Sequence, residues 1–258
     1  MTRVGLPESI SAALFDLDGV LTDTAAVHRR AWKTVFDRLL ACRCGARFRP
    51  FTADDYLNYV DGRTRADGVR EFLTSRAIVL PDGAPDDPPG LATVHGIGNS
   101  KNRLLLSLIE RDGVRVYPGS VAYLTAVRAA GLRIAVVTSS ANAAAVLDSA
   151  DLTRFVDARI DGVEIRRRGL RGKPAPDSFR AAAEELGETP SRAAVYEDAT
   201  AGVTAARTGG FGFVVGVDRV RDGKHGEALR RAGADVVVAD LSELAPAQAV
   251  ATGDEGGR

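Results

Sequence analysis

Asp16 and Asp18 are the residues whose type and spacing say most about chemistry. They lie in Phe15-Asp16-Leu17-Asp18-Gly19-Val20-Leu21-Thr22-Asp23-Thr24, directly after the short apolar run Ala12-Ala13-Leu14. Such a run before a glycine reads as a buried strand whose end delivers two carboxylates to the top of a sheet. In extended chain, residues i and i+2 face the same way, so both acids meet one pocket while Leu17 packs behind them. Two acids held together repel, which calls for a cation or a reaction to serve. One carboxylate can attack phosphorus while the other shuttles a proton to or from an alcohol. A magnesium ion would hold Asp16 ionised and screen its approach to an anionic phosphate. D-x-D-G also occurs in calcium loops and ordinary turns, so the rest of the chain has to decide.

Three further segments follow in the order phosphoryl chemistry needs. Leu132-Arg133-Ile134-Ala135-Val136-Val137 is a β-branched run ending in Thr138-Ser139-Ser140, just before a helix that begins near Asn142. That terminus offers hydroxyls and backbone N–H groups to a phosphate, which makes Thr138, Ser139, Ser140 and Asn142 candidate binding residues. Gly172-Lys173-Pro174-Ala175-Pro176-Asp177 comes next, with Pro176 suited to a first helical turn. Lysine occurs only at 33, 101, 173 and 224, against thirty arginines, so Lys173 reads as chosen for its compact charge. Finally Ala193-Ala194-Val195-Tyr196 is a buried-strand pattern that ends in a second acidic pair, Glu197-Asp198.

In order and spacing the four segments resemble the signature motifs of the haloacid dehalogenase superfamily, and most closely those of β-phosphoglucomutases and their near relatives. The opening motif through His28, Ala31, Trp32 and Lys33 is similar, as are Gly172 to Phe179 and Glu197 to Gly202. The resemblance implies that Asp16 is the nucleophile that becomes an aspartyl phosphate and that Asp18 is the general acid and base. It implies that Thr138 and the Ser139 backbone bind the transferring phosphoryl group and that Lys173 neutralises it. Magnesium would be held by Asp16, Asp198 and the backbone carbonyl of Asp18, with Glu197 in its inner or outer shell. His28 and Thr24 would sit near a hinge and orient Asp18, and Arg65 would meet a second phosphate.

The chain departs from that pattern at two positions. Asp61, in Tyr59-Val60-Asp61-Gly62-Arg63-Thr64-Arg65, stands where a lysine is familiar, and so does Ala141. Exchanging a cation for an anion near a sugar phosphate alters substrate preference by more than about tenfold where the site is partly desolvated. Asp61 is therefore a candidate substrate-side residue, and the identity of the sugar stays open. The expected activity is a sugar phosphomutase acting on a hexose 1-phosphate or 6-phosphate. The alternatives are a phosphatase with the same intermediate and, more weakly, a sugar-phosphate-binding module without catalysis.

The elements that must position these residues form two patterns. From Val114 on, strands near 132–137, 156–160, 193–197, 212–217 and 234–239 alternate with helices near 119–130, 141–149, 176–187, 200–208 and 224–232. Repeated βα units predict an α/β fold, a Rossmann-like parallel sheet with helices on both faces and ligands at the strands' carboxyl ends. Residues 26–110 break the rhythm with helical stretches near 27–40, 68–75 and 99–110 around a Pro, Asp and Gly-rich loop at 81–90. They read as an inserted all-helical cap whose closure would bring Arg65 over the phosphate. The expected division is a core of 1–25 and 111–245, a cap of 26–110 and a disordered tail of 246–258.

Composition sets the remaining bounds. Across 258 residues, Lys+Arg and Asp+Glu balance at 34 each, so no global basic field draws in nucleic acid or an anionic membrane. No run nears the roughly 18 apolar residues of a membrane span, and the N-terminus lacks an apolar targeting region, which predicts a cytoplasmic protein; a monomer is expected, and the resemblance implies a small phosphorylated sugar as its partner. Cys42 and Cys44 stand too close for an easy disulfide and read as free thiols. Arg166-Arg167-Arg168 reads as an exposed loop, His95 and His225 as surface or loop residues, and Trp32 as packing cap on core or lining the hinge.

Overall fold

A computed structural model describes residues 4–245 of the chain; the tail read as disordered lies outside the described residues. The first strand, β1 (Ala12–Phe15), is fully buried in the middle of a six-stranded parallel sheet. Its neighbours are β2 (Arg133–Val137) and β4 (Ala193–Glu197), with β3 (Ala158–Ile160) outside β2 and β5 (Phe213–Val217) and β6 (Val236–Val238) outside β4. The order is β3-β2-β1-β4-β5-β6. Alternate residues go to opposite faces, as the period of two requires. Ala13, Phe15, Ile134, Val136, Ala194 and Tyr196 join one apolar cluster, and Ala12, Leu14, Ala135, Val137, Ala193 and Val195 the other. Burial on both faces is why these strands read as continuous apolar runs.

Helices cover both faces. They are α5 (Pro118–Ala129), α6 (Ala143–Ser149), α7 (Gly162–Arg167), α8 (Asp177–Glu185), α9 (Thr200–Gly209) and α10 (Lys224–Ala232). The parallel register pairs Phe15 with both Val136 and Tyr196, so the carboxyl ends of β1, β2 and β4 lie side by side. Asp16, Thr138 and Asp198 issue from those three ends, and backbone bonds extend the ladder that far: Asp16 N donates to Tyr196 O at 2.9 Å and Thr138 N to Ile160 O at 3.0 Å.

Between β1 and α5 come α1 (Ala25–Cys44), α2 (Ala53–Tyr59), α3 (Arg65–Ser75) and α4 (Val94–Asp112). They enclose an apolar cluster of their own, in which Phe36 stacks between Trp32 and Phe72 with centroids 5.0 and 4.1 Å away. Burying each such aromatic is worth about 2–3 kcal/mol, enough for the helices to hold a second hydrophobic centre. Trp32 therefore belongs chiefly to this cluster.

Several expectations are corrected. Helix α2 is an addition: at seven residues it is too short to declare a period, and its signal is a capping box in which Thr52 and Asp55 satisfy each other's backbone N–H groups. Helices α1, α3 and α4 start earlier than expected, at Ala25, Arg65 and Val94; the Thr64 and Thr93 side chains cap α3 and α4 through Asp67 N and Gly96 N. Arg166 and Arg167 end helix α7 instead of lying in a loop, since the Asp161 side chain accepts from Val163 N and Glu164 N and opens a helical turn there. His95 lies in the first turn of α4 and is half-buried. His225 is buried at 6 % exposure, not on the surface. Cys42 and Cys44 are exposed free thiols.

Candidate active site

Asp16 emerges from β1 with one oxygen engaged and one open. Its Oδ1 accepts from Lys173 Nζ at 2.5 Å, whereas Oδ2 has no hydrogen-bond donor among the described residues. Lys173 is 1 % exposed and uses all three ammonium hydrogens, on Asp16, on Glu197 Oε1 and on Val137 O at 3.2 Å. Glu197 is thereby committed: its other oxygen accepts from Ala199 N at 3.0 Å, so it is first a partner of Lys173. The two carboxylates around Lys173 raise its pKa well above the ordinary lysine value, against the effect of burial. Burial pushes the Asp16 carboxyl up, Lys173 opposes this, and the neighbouring Glu197 and Asp18 add to it.

Asp18 is gripped from several sides. The Thr24 hydroxyl donates to Oδ1 and is itself 2.7 Å from the Thr22 hydroxyl; Thr138 Oγ1 reaches Oδ2 at 3.4 Å. His28 Nε2 stands 3.6 Å from Oδ1. Its other nitrogen lies 3.1 Å from Lys101 Nζ; when Lys101 is charged its ammonium can only donate, so Nδ1 then accepts and the ring proton sits on Nε2, toward Asp18. Burial, with Lys101 adding, pushes His28 down to about 4, which keeps the ring neutral. Lys101 is itself pushed down to about 7 by burial, partly offset by Asp18. Sequence reasoning did not single out Lys101. Its signal was available: with Ile97, Leu105 and Leu108 it falls on the apolar stripe of α4, where a lysine has no packing reason to be.

Asp198 abuts the loop that carries Asp18. Gly19 has φ 89°, and a side chain there would run into the Asp198 carboxylate, so only glycine allows the approach. Asp198 is raised by burial and then by Asp61, Glu197 and Asp16. His225 Nε2, 2.7 Å from the Asp198 carbonyl, ties that backbone to α10 and is a second residue missed in the sequence. Behind the loop Arg219, just past the carboxyl end of β5, donates to Gly19 O at 3.0 Å, Val20 O at 3.2 Å and Asp240 Oδ2 at 2.6 Å and so clamps the turn.

The helical insertion closes over these groups. Ser139 Oγ donates to Gly62 O at 2.7 Å, and Asn142 Nδ2 to Asn102 Oδ1 at 2.9 Å. The cavity between them, about 70 Å³ and open to solvent on one side, has Asp16, Asp18, His28, Asp61, Arg65, Thr138, Ser139, Ser140, Asn142 and Asp198 among its lining. All the sequence candidates therefore converge: Thr24, Lys173 and Glu197 sit behind the wall and the others form it. Asp61 faces the acidic end and is pushed up to about 6 by burial, a shift that its Tyr56 hydrogen bond opposes and Glu197 reinforces. Arg65 is turned outward, with Nη1 on Asn99 Oδ1 at 2.9 Å.

Among the described residues no three acid, imidazole or thiolate groups form a preassembled metal cage. The donor set nonetheless fits a hard cation. Burial raises the Asp16 and Asp198 carboxyls and neighbouring carboxylates add to it, with Lys173 opposing, so two oxygen donors with unmet negative charge stand where a hard cation would sit. Such an arrangement can support attack by Asp16 on a phosphoryl group with proton transfer at Asp18.

A family model for haloacid dehalogenase-like hydrolases matches residues 10–210. A β-phosphoglucomutase of Mycobacterium tuberculosis is 57 % identical over 245 residues, covering 93 % of this chain and 94 % of that protein. One from Bacillus subtilis is 30 % identical over 238 residues, covering 91 % and 92 %. Among solved structures, a β-phosphoglucomutase from Clostridium difficile superposes with a TM-score of 0.69 at 25 % identity, covering 91 % of this chain and 93 % of that one. The sheet order, the acids at the ends of β1 and β4 and the buried Lys173 agree with these likenesses: the chain belongs to the haloacid dehalogenase-like hydrolase family.

Proposed function

We propose that this protein is a magnesium-dependent sugar phosphomutase that moves a phosphoryl group between the 1- and 6-positions of a hexose through an aspartyl phosphate on Asp16. The observation that carries the reading is the pairing of an open Asp16 oxygen with an Asp18 held by Thr24, Thr138 and the His28 to Lys101 pair. Similarity to β-phosphoglucomutases over nearly the whole chain supports it. Division into a core of 1–25 and 111–245 and a cap of 26–110 goes with this reading, as do a monomeric state and a cytoplasmic setting. No described helix is long and apolar enough to cross a membrane.

In this scheme Asp16 Oδ2 attacks phosphorus while Lys173, bound to Oδ1, holds the carboxylate in place. Protonated Asp18 gives its proton to the departing sugar oxygen, and afterwards, ionised, takes one from the hydroxyl that attacks the phosphoaspartate. Thr138 and the Ser139 backbone receive the phosphoryl oxygens. The closed cap excludes water, which separates transfer to a sugar from hydrolysis. Asp16, Asp198 and the Asp18 carbonyl would hold magnesium, which supplies charge neutralisation for the phosphoryl group.

A second reading, a phosphatase with the same intermediate, is favoured by Asp61 and Ala141, which take two cations from the sugar side. The deciding experiment is turnover of a panel of hexose phosphates with and without a sugar bisphosphate primer. Primer-dependent isomerisation without phosphate release supports the mutase. Steady phosphate release without isomerisation overturns it in favour of the phosphatase.

A further inference from the structure

Asp61 reaches the catalytic centre from the helical insertion, and the contacts around it show which part of the centre it serves. Its neighbour Gly62, at φ 72°, lies so close to the corner after β4 that a Cβ there would stand 2.9 Å from Ala199 Cβ. Ser139 Oγ holds the same turn through Gly62 O at 2.7 Å. Asp61 and Asp198 are each one residue from the Gly62 to Ala199 contact, and both line the 70 Å³ cavity. A separate crevice of about 160 Å³ also has Asp61 in its wall, with Thr200, His225 and the exposed Asp54, Asp222 and Lys224. Asp61 therefore stands between that crevice and the cavity, on the side of Asp198.

The acids at this end are unevenly matched. Asp16 and Glu197 share Lys173, whereas Asp61 and Asp198 have no lysine or arginine partner among the described residues. The Asp198 carboxylate is 9 % exposed, faces the cavity and accepts no hydrogen bond from any described residue. After burial, Asp61 is the largest influence raising its pKa. A buried carboxylate with neither donor nor counterion is costly, and a second one beside it adds to the cost, so the pair calls for a cation. Among the described residues no three such groups stand close enough to grip an ion directly, which leaves Asp61 beyond direct contact. Magnesium suits that distance, because it gives up water reluctantly and keeps several waters when bound. A carboxylate accepting from those waters orients them and adds to the hold on the ion.

We propose that Asp61 is a carboxylate supplied by the helical insertion to the magnesium site, accepting hydrogen bonds from waters the ion keeps when Asp16 and Asp198 hold it. The proposal rests on the magnesium assignment made above and adds a residue to it. Ion binding then depends on how the insertion seats on the core, because the turn carrying Asp61 belongs to the one and Asp198 to the other. An anion at position 61 gives up attraction for the sugar phosphate and gains a tighter ion.

The test is calorimetric titration of magnesium alone into the full chain, without substrate. Asp198→Asn should abolish binding, Asp61→Asn should weaken it about tenfold and Asp61→Lys about 100-fold, while Asp54→Asn, which removes the same charge at the crevice, should stay within about twofold of the parent. A second readout is melting in chelator. Asparagine keeps an acceptor for Tyr56 and removes the charge beside Asp198, so Asp61→Asn should melt about 2–4 °C higher than the parent in chelator and gain less from added magnesium. Parent-like affinity in both Asp61 variants, with Asp198→Asn unable to bind, overturns the proposal and leaves the magnesium assignment standing. An equal loss in Asp54→Asn, or a lower melting temperature for Asp61→Asn in chelator, overturns it as well. If the parent binds no magnesium, or Asp198→Asn binds it as tightly as the parent, the magnesium assignment itself fails and this proposal with it.

Discussion

Replacing Lys101 with methionine should make the protein more stable and less active. Burial at 5 % exposure lowers the Lys101 pKa from 10.5 to about 7, and at 1.36 kcal/mol per tenfold this is about 5 kcal/mol held against the charged folded state. The sign follows from proton counting. Above pH 10.5 the lysine is neutral folded or unfolded and costs nothing; between 10.5 and about 7 the unfolded chain holds more protons, so the cost grows as pH falls and is complete below about 7. Methionine removes it, at the expense of about 1–3 kcal/mol for leaving His28 Nδ1 without its donor and up to about 2 kcal/mol for the ammonium over the Trp32 ring. Urea unfolding at pH 6 should find Lys101→Met more stable by about 1–3 kcal/mol. At pH 9 only about 2 kcal/mol of the original cost remains, so the difference between the two proteins should move by about 3 kcal/mol in favour of the lysine. Turnover should fall about tenfold, because His28 loses the donor that fixes its tautomer toward Asp18. A variant that is less stable at pH 6, or whose stability relative to the parent does not change between pH 6 and 9, would refute the reasoning.

Other expectations concern the catalytic groups directly. Asp16→Asn should abolish acid-stable labelling of the protein by phosphoryl donors, whereas Asp18→Asn should leave labelling by a good donor and slow transfer to or from a sugar by about 100-fold; equal small effects at both positions count against the assigned roles. A chelator should stop turnover and magnesium restore it, while calcium, with its looser coordination, should bind without restoring it; full activity in chelator sinks the metal assignment. Arg65→Ala should cost about 2–4 kcal/mol in kcat/KM for a hexose bisphosphate and little for a small aryl phosphate gripped on the core alone. Equal losses on both substrates would make the arginine structural.

Strand ends, and with them Asp16, Thr138 and Asp198, were legible because the central strands of a parallel sheet buried on both faces are almost wholly apolar between their turns. Three of the four motifs then fell at the adjacent ends of β1, β2 and β4 without any knowledge of the strand order, and the fourth, around Lys173, lies in the loop before α8. What escaped were contacts made across the chain. Lys101 reaches His28 from 73 residues away, and His225 reaches the Asp198 carbonyl from 27 away; neither neighbour is visible in local pattern. Helix α2 escaped because seven residues are stabilised by a cap and tertiary packing, not by periodicity. Asp61 was seen as an oddity in the sequence, but its position opposite the acidic pair depends on how the cap settles on the core, which the amino-acid order does not state.

The central position of β1 bears on how the protein is made. The strand that ends in Asp16 is the first to be synthesised, yet its two partners, β2 and β4, begin at Arg133 and Ala193. The arginine that clamps the Asp18 loop is residue 219, and that arginine is in turn anchored on Asp240. Until Val137 has left the ribosome β1 is an apolar segment without a neighbour, and until Glu197 has left one of its edges stays open to other chains. The helices of residues 25–112 bury an aromatic cluster made wholly of their own segment's residues. They can fold first and shorten the effective loop that β1 must close, lowering the entropy of finding β2. The catalytic centre is then the last part of the molecule to assemble, so a fragment that ends before Asp240 would hold a cap and most of a sheet but no fixed loop for Asp18.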